Sequence, residues 1–435
     1  MMMRTLTTLQ RLRASLWVVP LGMIVVGAGL AVAALSVRLA DGDGGAWWLY
    51  AGTAKEAPGF LETLFGSMIT MGTLSISLTM VTLTLAAQQL GPRLIHHFMA
   101  SRQTQISIGL FLATIVHLLL VLRAVHGHTG DAGLPNLAVT VGTALVLASV
   151  VALLLFTHHL ACSIVSDSVI EGVGASLDAA AERLLPPEAS ADAIRAAERS
   201  CVPRDGRPIR LPRGGYIQAV DHEGLVACAH AQGCVIALSH RPGHHLLAHA
   251  IHGRVSPPSA LTLALQHAFE EAILLGGERT PDQDLEFQIR QLVEIGLRAL
   301  SPGLNDTDTA VAVIDRLALS LARIMRHGPA QGTWRDRDGA VRLVMPASTF
   351  AGMMDAAFDQ IRQSSDKYPA ILIRLVETFE QLASLASEAQ RSIIAAHVTR
   401  VAVAGRQAIE DEHDLASFEA RVRAAEWRLE PSRPE

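Results

Sequence analysis

The sequence is poor in charged residues and in cysteine. Only 18% of its 435 residues are charged and half are hydrophobic, whereas charged residues make up about 25% of a typical soluble domain. This balance favours a membrane protein and excludes a disordered chain. The net charge of −5 argues against a nucleic-acid binder, which usually carries a basic stripe. The four cysteines, Cys162, Cys201, Cys228 and Cys234, are too few and too scattered for a disulfide framework.

Signatures of catalysis are also missing. The H-E-x-x-H, G-x-S-x-G, Walker A and G-x-G-x-x-G patterns do not occur in the context that their chemistry requires. We therefore predict no enzyme, no catalytic residue and no cofactor.

Long apolar runs predict four membrane-spanning helices, at residues 16–37, 64–87, 106–122 and 137–156. A bilayer requires about 20 residues of helix. None of the runs contains Asp, Glu, Lys or Arg, and His117 is their one ionisable group. A cleavable signal peptide is the alternative for the first run, which is longer than the usual h-region of about 7–15 residues. No comparable run follows, so residues from about 160 onward are expected to be water-soluble.

Loop charge sets the predicted orientation. The N-terminal segment and the second loop carry five basic residues, and the other two loops carry three. The five are Arg4, Arg11, Arg13, Arg93 and Arg102, and the three are Arg38, Lys55 and Arg123. By the positive-inside rule, this bias predicts a multi-pass protein of the bacterial inner membrane with both termini in the cytoplasm.

The predicted fold class is a mainly α membrane protein with a cytoplasmic α+β region. Residues 1–159 form the four-helix transmembrane domain and residues 160–207 a helical connector. A small β-rich module follows at 208–256, with strands at 216–220, 234–238 and 246–249 and a helix at 225–229 that Asp221 caps. A helical cytoplasmic domain occupies 257–429, interrupted by a hairpin at 335–344. Its helices are predicted at 260–275, 282–300, 308–326, 348–363, 368–384, 388–408 and 414–428.

Several short stretches resemble a known family. They are residues 66–69 (GSMI), 88–93 (QQLGPR), 111–114 (FLAT), 215–221 (GYIQAVD), 277–284 (GERTPDQD), 298–306 (RALSPGLND) and 309–310. The chain resembles, over most of its length, the bacterial predicted membrane protein family called domain of unknown function 2254. That family usually continues Asn-Asp-Pro, whereas Thr307 follows Asp306 here. The resemblance implies a multi-span membrane protein with a cytoplasmic C-terminal region, and no established activity.

The second span carries a stripe of hydroxyl side chains. Ser67, Thr70, Thr73, Ser77 and Thr84, with Gly66 and Gln88, recur three, four or seven residues apart and therefore share one helix face. Ser75, Thr79 and Thr82 form a second, shorter stripe. Two interpretations stay open. The longer stripe lines an aqueous pore in an oligomer, or it packs against neighbouring helices and bonds to its own backbone.

His117 has two possible roles, as a proton- or ion-handling group or as a hydrogen-bonded structural residue.

A dense set of histidines lies near Cys228 and Cys234, namely His222, His230, His240, His244, His245, His249 and His252. His245 and His249 fit the histidine half of the zinc pattern C-x₂₋₄-C with H-x₃₋₅-H, but Cys228 and Cys234 do not fit the cysteine half, so no metal is predicted.

The strongest polar signal of the soluble half comprises Arg279, Asp284, Arg298, Asn305 and Asp306. In a structural role, Asn305 and Asp306 help to cap the next helix, while the two arginines pair with the two aspartates and hold three helices together. Alternatively, these groups bind a phosphate or carboxylate at a helix N-terminus.

Two functions remain open. The first is a homo-oligomeric channel or transporter-like conduit, lined by the second span and regulated by the cytoplasmic domain. The second is a non-transporting scaffold or sensor, anchored in the bilayer, that binds a cytoplasmic ligand or partner. The expected partners are the lipid bilayer and further copies of the chain, with no nucleic acid; the ion or small-molecule ligand is unknown.

Overall fold

The computed structural model describes residues 17–37, 50, 56–89, 102–127, 136–163, 166–187 and 206–430. Among these residues are thirteen α-helices and eight strands. The chain divides into two compact units, Met1–Ser168 and Val169–Glu435. Of the basic residues that predicted the orientation, only Arg102 and Arg123 lie within the described residues.

The first unit contains four helices that are long and apolar enough to cross a membrane, as predicted. They are α1 (Val18–Ser36), α2 (Ala57–Gln89), α3 (Arg102–Gly127) and α4 (Asn136–Ser163). The last three extend beyond the predicted apolar runs, because polar residues near their ends remain helical. Glu62, for example, lies within α2 although it precedes the predicted span.

Helix α3 is the centre of this unit and packs against α1, α2 and α4. Small residues permit the closest approach: a Cβ atom placed on Gly27 of α1 would lie 2.6 Å from the backbone oxygen of Ala113 in α3. Phe111 and Leu118 of α3 are almost fully buried between the helices. In lipid, such close van der Waals packing replaces the hydrophobic effect as the main source of helix association.

The second unit begins with α5 (Ser166–Leu184, whose first residues precede the boundary) and contains two sheets. The five-stranded sheet has the order β1-β5-β3-β8-β7, and the three-stranded sheet has the order β4-β2-β6. The strands are β1 (Arg207–Arg210), β2 (Gly215–Val220), β3 (Val235–Leu238), β4 (His245–Leu246), β5 (Ile251–Ser256), β6 (Ile273–Gly276), β7 (Thr333–Arg335) and β8 (Val341–Val344). All neighbours are antiparallel except β3 and β8, which run parallel.

Two helices complete the β-rich part, α6 (His222–Ala231) and α7 (Leu263–Ala272). Asp221 caps α6 as predicted, accepting a hydrogen bond from the backbone of Gly224 at 3.0 Å. The predicted helix at 260–275 is wrong at both ends. Its start is a 3₁₀ turn, and its last residues form β6, which pairs with β2.

The predicted strand at 246–249 is also wrong, because pairing stops at Leu246 and His249 adopts a positive φ of 63°. Strands β1 and β5, which pair with each other, were not predicted. The predicted hairpin is confirmed as β7 and β8, and Gly339 supplies the positive φ of 80° at its turn.

The remaining helices form the helical part of the second unit. They are α8 (Leu285–Ala299), α9 (Thr307–Ile324), α10 (Phe350–Gln363), α11 (Pro369–Ala383), α12 (Glu388–Ala408) and α13 (Glu412–Leu429). Their apolar faces meet in a core that includes Leu317, Phe358, Phe379 and Ile394. The predicted bounds of α12 are confirmed, and the other five helices agree with prediction to within a few residues.

Candidate functional site

The longer hydroxyl stripe of α2 lies on a face that the described part of the chain leaves exposed. Ser67, Thr70, Thr73, Ser77 and Thr84 are all exposed. Gln88 is in the last turn of α2, and its side chain lies outside the described residues.

The shorter stripe has the opposite position. Ser75, Thr79 and Thr82 are buried, with exposed fractions of 0%, 7% and 5%. Thr70 and Thr79 are nine residues apart, which is a rotation of about 180° on an α-helix. The shorter stripe therefore packs against the helices of its own unit, while the longer stripe faces away from them.

Six of these eight hydroxyls donate a hydrogen bond to their own helix, namely those of Ser67, Thr70, Ser75, Thr79, Thr82 and Thr84. Ser67 Oγ donates to the carbonyl of Thr63 at 2.8 Å, and Thr84 Oγ1 donates to the carbonyl of Met80 at 2.8 Å. The hydroxyl proton is thus hydrogen-bonded within the helix, while the oxygen keeps a lone pair that can accept a hydrogen bond or contact a cation.

Glu62 precedes Gly66 by one turn on the same face, and its carboxylate lies 3.6 Å from Nε2 of His126 in α3.

His117 is fully buried in α3. Its Nε2 lies 3.2 Å from the backbone oxygen of Ala138 in α4, so the ring donates this hydrogen bond, because a carbonyl oxygen can only accept one. Nearby, the hydroxyls of Thr114 and Ser149 are 3.1 Å apart and join the same two helices. This arrangement supports a structural role for His117 in the contact between α3 and α4.

In the second unit, two of the stretches that carried the family resemblance come together. The side-chain amide of Gln283 bonds to both backbone groups of Val220, accepting from its nitrogen at 2.9 Å and donating to its oxygen at 3.2 Å. Gln218 in turn donates to the backbone oxygen of Glu278 at 3.0 Å. The loop after β6 therefore folds back along β2, and the polar side chains of both stretches close this contact.

Asp284 is the centre of the polar cluster that follows this loop. It is 1% exposed, caps α8 by accepting from the backbone of Phe287 at 3.1 Å, and accepts from Arg279 Nε at 3.0 Å. The predicted Arg279–Asp284 pair is thus present. Arg241, which the sequence analysis did not single out, lies 3.8 Å from Asp284 and 2.6 Å from Glu286.

The cluster contains two arginines and two carboxylates, so its charges balance and leave no excess positive charge for an anion. Gly243 lies directly against it: a Cβ atom at this position would be 1.8 Å from Oδ2 of Asp284. Its φ of 87° independently favours glycine. The loop between β3 and β4 therefore requires glycine at position 243, because any side chain there would collide with the buried carboxylate of Asp284.

The predicted pairing of Arg298 with Asp306 is wrong. Arg298 pairs with Glu294, one turn earlier on its own helix, at 3.7 Å. Asp306 is exposed and caps α9, accepting from the backbone nitrogen of Thr309 at 3.0 Å and from its hydroxyl at 2.7 Å. These hydrogen bonds lower the pKa of Asp306. Asn305 is exposed with a positive φ of 50°, so it belongs to the turn before the helix.

Three histidines of the β-rich part, His240, His244 and His252, lie near one another, but they do not bring three potential ligand atoms within 4.8 Å of one another. The ring of His240 lies 5.7 Å from that of His252 and 6.0 Å from that of His244, while His222 stacks on Trp334 at 4.4 Å. Burial lowers the pKa of His222, of His244 and of His252.

Among the described residues, two groups bring at least three potential metal-ligand atoms within 4.8 Å of one another. They are His230 with Asp336 and Asp338, and His397 with Asp355 and Asp359. In the first group, Asp336 accepts from His230 Nδ1 at 2.8 Å and from Arg342 Nε at 2.6 Å. These contacts lower the pKa of Asp336 and tie the hairpin to α6.

A buried network centred on Asp178 was missed. Asp178 of α5 accepts from Arg316 Nη2 and Ser320 Oγ of α9, both at 2.7 Å, and also from Arg323. Asp178 and Arg316 are 6% and 5% exposed. A sequence signal existed: Asp178 follows Leu177 on the buried face of α5, and an acid in an apolar stripe requires a partner.

Residues 13–381 match the family described as predicted membrane protein (DUF2254). The chain belongs to this family. An uncharacterized protein of Mycobacterium bovis and two of Mycobacterium tuberculosis are each 29% identical to it over 433 residues, which is 98% of this chain and 83% of each relative. No solved structure matches the chain. Family membership and the four apolar helices agree on a membrane protein.

Proposed function

We propose that the chain forms a homo-oligomeric conduit for an ion or small polar solute, in which the longer hydroxyl stripe of α2 lines the path. The observation that carries the proposal is the direction of this stripe, which faces away from the helices of its own unit. The proposal involves no catalytic step.

The chemistry of the stripe favours a path for cations. Hydroxyl oxygens that already donate to the helix backbone can still contact a passing cation, and the lack of fixed charge along the stripe permits weak, rapidly reversible binding. Glu62 adds a carboxylate at one end of the face, 59% exposed, where it can attract cations to the entrance.

An oligomer gives this face a polar environment. In a single chain surrounded by lipid, the hydroxyls between Ser67 and Thr84 would contact acyl chains, although polar groups in membranes usually face a helix bundle or a water-filled cavity. Further copies arranged around an axis would enclose the stripes of all protomers.

We further propose that the membrane is a bacterial inner membrane and that both termini are cytoplasmic, which rests on the loop-charge bias. Reporter fusions after residues 45, 98, 130 and 200 should then alternate between outside and inside, beginning outside. An external signal at residue 200 would contradict this orientation.

The second unit is proposed to regulate the conduit. Helix α5 begins only three residues after α4 ends, and the Asp178 network ties α5 to α9. This short connection in sequence is the basis of the proposed regulation. The same connection favours the second candidate function, a membrane-anchored scaffold or sensor that transports nothing.

Cysteine labelling tests the conduit. In full-length protein lacking its four native cysteines, Thr70→Cys and Ser77→Cys should react with a charged, water-soluble thiol reagent. Val151→Cys on α4 is the matched control, because Val151 is 57% exposed on an apolar surface. Thr79→Cys is the buried control on the same helix.

Flux provides the second measurement. Ser77→Leu should abolish the passage of monovalent cations into liposomes that contain the reconstituted protein, because the leucine narrows and dries the path. Equal labelling of the Thr70→Cys, Ser77→Cys and Val151→Cys variants would refute the conduit. Combined with an absence of flux, that result would support the scaffold or sensor.

A further inference from the structure

Helices α10 and α12 bring together two carboxylates and a buried imidazole. Asp355 and Asp359 lie one turn apart on α10, and His397 lies on α12. His397 is 2% exposed, and its ring packs against Phe379 with 5.7 Å between ring centroids.

The Nε2 atom of His397 faces the carboxylates without being hydrogen-bonded. It lies 3.3 Å from Oδ1 of Asp355, in a geometry that makes no hydrogen bond. A buried imidazole nitrogen is normally hydrogen-bonded or bound to a metal. The orientation of His397 towards the two acids therefore requires an explanation.

We propose that Asp355, Asp359 and His397 bind a divalent transition-metal ion of the Zn²⁺ type. Their ligand atoms lie within 4.8 Å of one another. Around a tetrahedral ion with bonds of about 2.0–2.1 Å, neighbouring ligand atoms are about 3.3 Å apart. The separation of His397 Nε2 and Asp355 Oδ1, 3.3 Å, equals this edge length.

Arg400 occupies the position of the cation. Its Nη1 lies 2.9 Å from Oδ1 of Asp355 and 3.2 Å from Oδ1 of Asp359, so the guanidinium pairs with both carboxylates and offsets one of their two negative charges. The side chain of Arg400 is 44% exposed and can swing into solvent when an ion enters. Arg362, 3.6 Å from Asp359, would remain as a second positive charge.

The donor set selects the class of ion. An imidazole nitrogen with two carboxylates suits Zn²⁺, Fe²⁺ or Mn²⁺, whereas Mg²⁺ and Ca²⁺ prefer oxygen ligands alone. Two of the three ligands are partly exposed, with side-chain exposures of 48% for Asp355 and 28% for Asp359. An ion can therefore enter from solvent.

Zinc titration of the full-length protein in detergent, in competition with a fluorescent chelator, tests the site. Wild-type protein should bind one more Zn²⁺ per chain than Asp359→Asn, and Mg²⁺ in excess should not compete. Arg400→Met should bind Zn²⁺ at least roughly tenfold more tightly than wild type, because one competing unit charge is removed. Misfolding would separate the three ligands and weaken zinc binding, so it cannot explain a higher zinc affinity of Arg400→Met.

Two controls sharpen the result. Asp338→Asn, in the other group of potential ligands, should leave zinc binding at wild-type level. His397→Gln should bind one Zn²⁺ fewer per chain than wild type, as Asp359→Asn does. Because His397 is buried, the melting temperature of this variant is measured as well, to show that it is folded. Equal zinc binding by wild type and Asp359→Asn, or no tighter binding by Arg400→Met, would overturn the proposal and leave Arg400 as the permanent partner of both acids.

Discussion

Removal of the Asp178 carboxylate is expected to destabilise the second unit strongly. Asp178→Ala deletes the acceptor of the Arg316 and Ser320 side chains and leaves Arg316, 5% exposed, with Glu171 at 3.0 Å as its remaining ion-pair partner. Glu171 is itself 67% exposed, so solvent screens its charge. Breaking a buried ion pair by removing one partner costs about 3–5 kcal/mol.

Thermal unfolding of full-length protein in detergent measures this effect. A loss of this size lowers the melting temperature of the second unit by roughly 6–20 °C. Asp306→Ala is the matched control, because it removes an exposed helix cap worth about 1 kcal/mol, or roughly 2–4 °C. The double variant Asp178→Leu/Arg316→Met should recover most of the loss, since no unpaired buried charge remains.

Hydrogen exchange locates the effect. Asp178→Ala should speed amide exchange in α5 and α9, and Asp306→Ala should change only the first turn of α9. Equal melting temperatures for Asp178→Ala and Asp306→Ala would refute the reasoning, because the Asp178 network would then be as solvated as an exposed cap.

Three further changes have defined outcomes. Gly27→Leu should lower the melting temperature of the first unit, because the leucine side chain would collide with the backbone of α3. Gly29→Leu should leave that melting temperature unchanged, because the space around Gly29 is open. Gly243→Ala should destabilise the second unit by about 1–3 kcal/mol through its positive φ and the carboxylate behind it, while Gly277→Ala should be nearly neutral in the same melts. Burial lowers the pKa of His222 below 6.5. As the pH falls through 6.5, the unfolded state therefore binds more protons than the folded state, and the free energy of unfolding decreases. His222→Gln should make this decrease smaller, as measured by thermal melts at a series of pH values.

The membrane half was predictable because its determinants are local. Apolar runs define the spans wherever they occur, and only the helix ends differ, since Glu62 and similar residues continue the helix without adding hydropathy. The hydroxyl stripe was also visible as a spacing. Its direction was not, because the face of α2 that is buried depends on the packing of α3.

In the second unit, helix caps were predictable and long-range pairs were not. Asp221 and Asp306 cap helices through backbone groups three residues away, which sequence spacing reveals. The Asp178–Arg316 pair joins residues 138 positions apart, and such a contact cannot be predicted from local sequence spacing. Arg298 and Asp306 are near in sequence but do not pair, because Arg298 bonds along its own helix.

The parallel pairing of β3 with β8 has a consequence for synthesis of the chain. Ile236 and Leu343 are partners in one sheet, and helices α7, α8 and α9 lie between them in sequence. At the usual rate of translation, this interval of about 100 residues takes roughly 5–20 s. During that time the edge of β3 is open to pairing with another strand. The β-rich part is therefore completed late, and a nascent or truncated chain that ends before residue 341 exposes an edge prone to association.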